Sequence, residues 1–239
     1  RMLTWAPGEV DDALWRDRVT AAIRRRDSIV SAEEAGKATN AYRLIHAEAD
    51  LLPGLVVDRY ADVVVVQFLT AGVERVREIV VGAIEGALDP RCIFERSDSA
   101  SRVKEGLATS VGPLRGDAPG PTEILENGLR FLVNVESGQK TGFYLDQREN
   151  RARVADHARG SDVLDAFCHT GAFAAYAARA GARSVSLVDS SEASLQTARS
   201  NLELNAPPEC ACEFVAADVF EYLRELRGRG RRFDLVILD

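Results

Sequence analysis

The chain has 239 residues, of which 46% are hydrophobic and 28% charged, a composition that excludes disorder and collagen-like structure. A chain of this length is expected to form one or two domains with a sizeable core. Its 30 basic and 37 acidic side chains give a net charge of −7, so any nucleic-acid binding must depend on local basic patches.

The first third of the chain predicts a helix followed by a β-rich region. Paired aspartates and apolar residues at helical spacing predict a helix over residues 11–26, whose five arginines form either a solvated face or a phosphate contact. Period-two patterns and turn residues then predict strands at 42–46, 55–59, 63–69 and 91–95, with a helix over 72–88.

The middle of the chain is rich in turn-forming residues. The stretch 111–121 is dense in Gly and Pro, which predicts a loop. Asn127-Gly128 lies between two apolar runs, which is the strongest short hairpin signal that a sequence offers. We therefore predict a small α/β domain over residues 36–140 with a linking helix in residues 1–35.

From residue 161 strands and helices alternate. Such alternation predicts βαβ units with right-handed crossovers on a parallel sheet, so residues 141–239 are predicted to form an open α/β domain. The expected strands are 163–165, 184–188, 212–216 and 233–238, and the expected helices are 171–180, 191–204 and 219–226. Because the sequence stops on the fourth strand, we expect the natural protein to continue.

An aspartate follows each of the four predicted parallel strands. In an open parallel sheet, ligands bind outside the carboxyl ends of the strands, so these acids are candidate ligand contacts. The alternative is that each aspartate only caps the helix that follows it. The four residues are Asp165, Asp189, Asp218 and Asp239.

The loop after the first of these strands favours S-adenosylmethionine (SAM) over NAD. Between Asp165 and Phe173 it has one glycine, Gly171, where a dinucleotide-binding fingerprint has three that approach a pyrophosphate. SAM has no phosphate to approach. Asp165 is then expected to face the positive methionine end, Asp189 the ribose hydroxyls and Asp218 the adenine amino group, with the fourth aspartate nearest the transferable methyl.

Several segments resemble a bacterial family of class I SAM-dependent methyltransferases whose members make 5-methylcytosine in 23S ribosomal RNA. The resemblance is carried by ENGLRFLVNVESGQKTGFYLDQRENR at 126–151, by DAFCHTGAF at 165–173, and by 53–59 and 97–107. It implies a Rossmann-like catalytic sheet with its first four strands present, an RNA-facing domain at 36–140, and an N-terminal PUA domain of which only the exit remains. It also implies a partner, 23S rRNA or a large-subunit precursor, and a possible homodimer.

The resemblance places the 139–151 block over the cofactor. Phe143 and Tyr144 offer aromatic faces to adenine or the target base, Gln147 and Arg148 donate to the methionine carboxylate, and Asp146 caps the following helix. The alternative is that this block only packs and caps that helix, and its Arg151 and Arg153 are either solvated or in contact with RNA. The predicted cofactor-binding residues are Phe143, Tyr144, Gln147, Arg148, Asp165, Phe167, Thr170, Gly171, Asp189, Ser190, Asp218 and Asp239.

The chemistry implied by the resemblance needs a cysteine. A thiolate adds to C6 of a flipped cytosine, which makes C5 nucleophilic enough to take a methyl group. A base then removes the C5 proton, and the S–C6 bond breaks as the thiol leaves. The resemblance places this cysteine beyond Asp239, which is itself a catalytic residue by position. Cys168 is a weak candidate, because a small residue packed in a turn is the ordinary role there.

The remaining cysteines and the histidines do not have the spacing of a disulfide framework or a zinc site. We therefore predict a reduced, cytoplasmic protein with no metal site, and no signal peptide or membrane span. His169 is either a cofactor contact or a residue that orders its loop. The residues concerned are Cys92, Cys210, Cys212, His46, His157 and His169.

Three other functions stay open on the sequence. A related enzyme could methylate guanine N2, the chain could bind SAM or RNA without catalysis, or it could be an NAD-dependent oxidoreductase, against which the missing glycines argue. The basic stretch 227–232 is either a solvated loop or an RNA phosphate contact.

Overall fold

The structure is a computed structural model that describes residues 10–30 and 38–238. The chain folds as two units, the first made of residues 1–128 and 133–145 and the second of residues 129–132 and 146–239. Within the described ranges, no helix is long and apolar enough to cross a membrane. The domain limits predicted at residues 35 and 140 stay predictions.

The first unit is built on a five-stranded mixed sheet in the order β1-β2-β3-β4-β5. Neighbouring strands are antiparallel except for β3 and β4, which run parallel and are joined by helix α3. The elements are α1 (Asp12–Val30), β1 (Ala41–His46), β2 (Leu55–Tyr60), β3 (Val63–Phe68), α2 (Ala71–Glu74), α3 (Arg77–Leu88), β4 (Cys92–Ser97), α4 (Ala100–Lys104) and β5 (Ser110–Arg115).

Helix α1 contributes to the core of this unit. Asp11 caps it by accepting the N–H of Leu14 at 2.9 Å, and its apolar stripe, which includes Trp15 and Val19, is buried in one cluster with α3 and the sheet. Its arginines are largely engaged, since Arg26 makes a bidentate pair with Asp50 at 2.6 and 2.7 Å. This pairing favours a structural role for that part of the basic face.

Two sequence predictions for this unit are wrong in detail. Residues 111–115 of the expected loop belong to strand β5 (Ser110–Arg115), because an edge strand tolerates Pro113, which lacks an N–H. The helix expected over 72–88 is broken into α2 and α3 at Val76, which has φ −110°. The break lets Glu74 accept hydrogen bonds from both Arg77 and the buried Arg102.

The predicted hairpin is confirmed. Strands β6 (Pro121–Glu126) and β7 (Leu129–Asn134) form a two-stranded sheet around a two-residue turn. Asn127 has φ 50° and Gly128 has φ 79°, so both turn residues are left-handed, as a type I′ turn requires. The division between the two units runs through β7.

A buried polar chain ties the segment that follows β7 to strand β2. Thr141 donates to Asp58 at 2.6 Å, and the same carboxylate accepts a bidentate pair from Arg43. The Tyr60 hydroxyl lies 2.7 Å from Thr141 Oγ1 and accepts the Phe143 N–H at 3.2 Å. Because Asp58, Tyr60 and Thr141 are all buried, each depends on these partners to offset its desolvation.

The second unit has a parallel four-stranded sheet in the order β10-β9-β8-β11, as the alternating pattern predicts. The mixed α/β class with a Rossmann-like parallel sheet is thereby confirmed. Its elements are α5 (Arg148–Ala158), β8 (Asp162–Ala166), α6 (Ala172–Arg179), β9 (Ser184–Asp189), α7 (Glu192–Asn205), β10 (Ala211–Ala216), α8 (Val219–Gly228) and β11 (Leu235–Leu238).

Substitution of Thr141 by Val tests the buried polar chain. Removal of the hydroxyl leaves the buried carboxylate and phenol each short of a partner, so we expect a loss of about 1–3 kcal/mol in unfolding free energy. The matched control Thr20→Val, on α1, changes stability by less than about 0.5 kcal/mol. Urea unfolding followed by tryptophan fluorescence reports this unit, since Trp15 is buried in its core. Equal unfolding midpoints for the two variants would contradict the role of the chain.

Candidate cofactor-binding site

The order of the strands in the second unit locates a ligand site. From β8 the chain proceeds to β9 and β10 on one side, and it then crosses back to place β11 on the other side of β8. The strand order therefore reverses between β8 and β11. In open α/β sheets, ligands bind at the carboxyl ends of the strands beside such a reversal. The residues directly after β8 form the loop 167–171.

This loop has an unusual backbone. Phe167, His169 and Gly171 have φ values of 61°, 48° and 71°, so three alternate residues are left-handed. Two of them are not glycine, and such conformations cost free energy and cluster at functional sites. Hydrogen bonds maintain the loop, since Cys168 N–H donates to Val188 O at 3.0 Å and Gly171 N–H donates to Cys168 O at 2.8 Å.

Gly171 allows the loop to pack closely on the rest of the unit. It caps α6, and a Cβ on it would lie 2.9 Å from Ala198 Cβ and 3.0 Å from Leu187 Cδ2. Behind it, the buried Asn201 on α7 donates its side-chain amide to Thr170 O at 2.9 Å. Gly171 therefore lies close to β9 and α7, and its predicted contact with a cofactor stays a prediction.

Three of the four predicted acids lie at the carboxyl ends of β8, β9 and β10. Asp165 is buried and accepts the N–H of Ala174 in the first turn of α6 at 3.1 Å. Asp218 is exposed and caps α8 by accepting the N–H of Glu221 at 2.9 Å. Both therefore cap the helix that follows them, which is the alternative that the sequence left open. A carboxylate has further lone pairs, so this role does not prevent contact with a ligand. Asp239 lies outside the described residues.

Asp189 joins two loops at this end of the sheet. Its Oδ2 accepts the N–H of His169 and its Oδ1 accepts the N–H of Ser191, both at 2.9 Å. The residue between, Ser190, is exposed. Each carboxylate oxygen has a second lone pair, so Asp189 can order both loops and accept two ligand hydroxyls at the same time.

An exposed aromatic pair lies at the same end of the sheet. Phe167 follows β8 and Phe220 opens α8, and their rings meet edge to face with centroids 5.5 Å apart. They are 36% and 61% exposed, so both faces offer apolar surface to a flat ligand. Phe220 was not predicted as a site residue. Its position two residues after Asp218 was the available signal.

Phe143 and Tyr144 of the block at 139–151 belong to the first unit. Phe143 is buried, whereas Tyr144 is half-buried beneath the Lys140 ammonium, which lies 4.3 Å from its ring centroid. The Tyr144 hydroxyl also donates to Gln139 Oε1. Their predicted contact with a cofactor stays a prediction.

The helical part of the same block belongs to the second unit. Gln147 occupies the N-cap of α5, and Asp146, the expected cap, lies in the 3-10 turn before it. Gln147 Oε1 accepts the Asn150 side-chain amide at 2.6 Å, while Arg148 lies 3.3 Å from Glu149. The contacts predicted for Gln147 and Arg148 with a methionine carboxylate stay predictions.

The prediction for Arg151, on the same helix, is wrong. This residue was expected to be solvated or to reach RNA, but it is only 1% exposed and its guanidinium lies 5.9 Å from the ring centroid of Phe173. It faces inward because α5 packs against α6, so it is a structural residue. Arg153, which is exposed, keeps both of its predicted alternatives.

Cys168 does not have the properties of a nucleophile. Its side chain is 6% exposed, and burial, followed by the charges of Asp165 and Asp189, raises the pKa of the thiol far above its ordinary value. A thiol with a raised pKa stays protonated at neutral pH and reacts slowly. Burial also raises the pKa of Cys92, Cys210 and Cys212. Neighbouring His169 Nδ1 lies 3.5 Å from Thr170 Oγ1, a contact within the loop.

The second unit is thus an open parallel α/β sheet with carboxylates and exposed aromatic rings at the carboxyl ends of its strands, an arrangement in which ligands bind at those ends. A family model described as S-adenosylmethionine-dependent methyltransferase matches residues 106–239, which is more than half of the chain. The chain therefore belongs to the S-adenosylmethionine-dependent methyltransferase family. The predicted enzyme class and cofactor are those of this family, and the match gives no support to the NAD-dependent alternative.

Individual relatives agree with this assignment. The ribosomal RNA large subunit methyltransferase I of Pseudoalteromonas atlantica is 43% identical over 240 residues, covering 100% of this chain and 60% of its own. A solved SAM-dependent methyltransferase from Streptococcus mutans is 26% identical with a TM-score of 0.85, covering 100% of this chain and 61% of its own. A solved methyltransferase complexed with SAH has the same identity and TM-score, with coverages of 100% and 60%. The chain thus spans about 60% of the length of such relatives.

Substitution of Gly171 by Ala tests the close packing of the loop. Gly160 is a matched control, because both residues have φ 71° and an added Cβ at Gly160 has nothing within 4 Å. Each alanine costs about 1–2 kcal/mol for its left-handed backbone. We expect Gly171→Ala to lose about 1–3 kcal/mol more, because its Cβ overpacks β9 and α7. Scanning calorimetry measures both Tm values, and equal decreases would show that the contacts at Gly171 are unimportant.

Proposed function

We propose that the second unit binds S-adenosylmethionine along the carboxyl edge of its sheet. Asp189 accepts the two ribose hydroxyls, Asp218 accepts the adenine amino group, and Phe167 and Phe220 contact the adenine ring. Asp165, behind the loop 167–171, provides negative charge towards the methionine end. The observation that carries the proposal is the position of Asp189, whose carboxylate holds two loops by backbone N–H groups at 2.9 Å and has lone pairs left for a diol.

The residues present fit this cofactor by their chemistry. SAM combines a ribose diol, an adenine and a cationic sulfonium, and carboxylates at three strand ends with two exposed aromatic rings match these groups. A dinucleotide would in addition need backbone N–H groups around a pyrophosphate. The single glycine of the loop packs against Ala198 and Leu187, which argues against that use.

We propose further that the substrate is large-subunit ribosomal RNA and that the product is 5-methylcytosine. The curated relative is named for large-subunit ribosomal RNA, which supports the substrate class. The choice of cytosine C5 rests on the sequence resemblance. The homodimer implied by the same resemblance stays a prediction.

When bound, the cofactor supplies an electrophilic methyl group. The protein has to supply three further contributions. The protein must take the target base out of its stack, provide a thiolate for C6 and remove the proton at C5. Cys168 is buried and the pKa of its thiol is raised, so we propose that the thiolate comes from a cysteine other than Cys168 and that Asp239 positions the reacting groups.

Calorimetric titration with S-adenosylhomocysteine tests the cofactor site in this chain, with NAD titrated beside it. We expect saturable binding of S-adenosylhomocysteine alone. Asp189→Asn removes one anionic acceptor from the ribose and should weaken binding by at least about tenfold, which is about 1.4 kcal/mol. The control Asp156→Asn, an exposed change on α5, should leave the affinity unchanged. Binding of NAD, or equal affinities for the two variants, would refute the proposed site.

Nucleoside analysis of ribosomal RNA tests the product. Large-subunit RNA from cells that lack the gene is digested and compared by mass spectrometry with RNA from complemented cells. We expect 5-methylcytidine to fall when the gene is deleted and to return on complementation. A change in N2-methylguanosine instead would establish the guanine-N2 alternative, and no change in either would contradict the proposed substrate.

Complementation with Cys168→Ala tests the assignment of the thiol. Because the raised pKa of Cys168 keeps it protonated, we expect this variant to restore the modification to within about twofold of the original protein. Full loss of modification, in a variant that binds S-adenosylhomocysteine normally, would make Cys168 the nucleophile and overturn the assignment.

A further inference from the structure

A groove opens in the second unit beside the end of α8. It has a volume of about 650 Å³, and Glu213 of β10 is one of its lining residues. The cofactor residues do not contribute to it. The groove is lined chiefly by Tyr222, Leu226, Arg229, Arg231, Arg232 and Phe233.

The groove concentrates positive charge on an acidic chain. Five exposed arginines lie within nine residues, at 224, 227, 229, 231 and 232. Among the residues that the structure describes, Arg227 and Arg232 have no ion-pair partner, and the one salt bridge of this stretch joins Arg229 to Glu225. The surface therefore holds guanidinium groups that are available to an anion.

The acidic residues around the groove are already engaged. Glu213 accepts a hydrogen bond from the Ser186 hydroxyl at 3.0 Å. Asp234 accepts the N–H of Asp162 at 2.9 Å and lies 3.3 Å from Arg183. Arg183 offsets part of the charge of Asp234, whereas Glu213 keeps its charge because a hydroxyl donor is neutral. The groove lining holds three arginines and this one glutamate, so its net charge is positive.

Aromatic side chains lie among the arginines. The Arg231 guanidinium lies 5.1 Å from the ring centroid of Phe233, and Tyr222 lines the same groove. Both aromatic residues are half-buried, so the apolar surface is limited and bounded by charge. A basic groove with aromatic and guanidinium planes is the surface that binds single-stranded nucleic acid, with phosphates on the charges and bases on the planes.

The groove and the proposed cofactor site lie at opposite ends of the strands. Asp234 follows the arginine-rich stretch 227–232. Its N–H donates to Asp162 O, and its carboxylate accepts the N–H of Asp162, which is the first residue of β8. The stretch is therefore at the amino ends of β8 and β11, whereas the cofactor residues follow the carboxyl ends. A five-residue strand spans about 16 Å, so a ligand in the groove does not touch the reacting atoms.

We propose that this groove binds the phosphate backbone of single-stranded RNA, and that it is a second contact with the RNA substrate, remote from the methylated base. The inference rests on the proposed function for the identity of the nucleic acid. Arginine suits this role because its planar guanidinium pairs with phosphate in a bidentate way and stacks on bases. Such a contact contributes affinity but little sequence selectivity.

Fluorescence anisotropy with a labelled oligouridine of about 12 nucleotides tests the groove, because this probe has no secondary structure and matches the site sizes of single-strand binders. Arg231→Gln with Arg232→Gln removes two charges from the groove. We expect its affinity at about 50 mM salt to fall on the order of tenfold, and the slope of log K against log salt to become shallower by about 1.4.

The matched control carries Arg75→Gln and Arg91→Gln, which remove the same charge from exposed positions in the first unit. Unchanged binding in the control, together with the loss in the groove variant, supports the proposal. Equal losses in both variants, no loss in either, or no binding of the probe by the original chain would overturn it.

A parallel titration with S-adenosylhomocysteine separates this proposal from the proposed function. The groove variant should bind S-adenosylhomocysteine like the original chain, which also shows that the second unit is folded. If the original chain binds RNA through the groove but does not bind S-adenosylhomocysteine, the groove stands and the proposed cofactor site fails. The reverse result rejects the groove alone.

Discussion

The carboxylate of Asp189 joins the loops at the carboxyl ends of the strands in the second unit, where the candidate site lies. It takes the N–H of His169 from the loop after β8 and the N–H of Ser191 from the loop after β9. Two loops from neighbouring strands are thereby fixed by one side chain, and the left-handed conformations at Phe167 and His169 are maintained despite their cost. Gly171 completes the arrangement, because only a residue without a Cβ fits between this loop and α7. The site is therefore preorganised by backbone contacts.

How far the sequence predicts the fold depends on how local each signal is. The alternation of strands and helices after residue 161 is local and strong, so every element of the second unit was expected within a few residues. Strand β5 was missed because its Gly112 and Pro113 are typical of loops, and only its pairing with β4 at the sheet edge makes it a strand. The break at Val76 was missed for a similar reason, since one of the ion pairs that favour it, between Glu74 and Arg102, joins residues distant in the chain.

In the candidate site, too, the features with a local sequence signal were predicted and those that depend on distant residues were not. Aspartates at strand ends and a single glycine in the loop could be identified from spacing alone. The roles of Asn201, which anchors the loop from α7, and of Phe220, which meets Phe167, need the three-dimensional arrangement. Arg151 shows the opposite error, because a charged residue on a polar helix is expected to face solvent, yet it is buried against Phe173.

The distribution of charge in the second unit reconciles an acidic chain with a polyanionic substrate. Asp165, Asp189 and Asp218 lie at the carboxyl ends of the strands, where the proposed cationic cofactor would benefit from them and phosphate is repelled, whereas Asp162 and Asp234 at the amino ends are paired with Arg183. Arginines are gathered at the amino ends, about one strand length away, where phosphate is attracted and no cofactor group is needed. If these aspartates and arginines lay at the same ends of the strands, the arginines would weaken binding of the cationic cofactor and the aspartates would weaken binding of phosphate. If both proposed sites are correct, this separation lets one small unit bind oppositely charged partners at the same time.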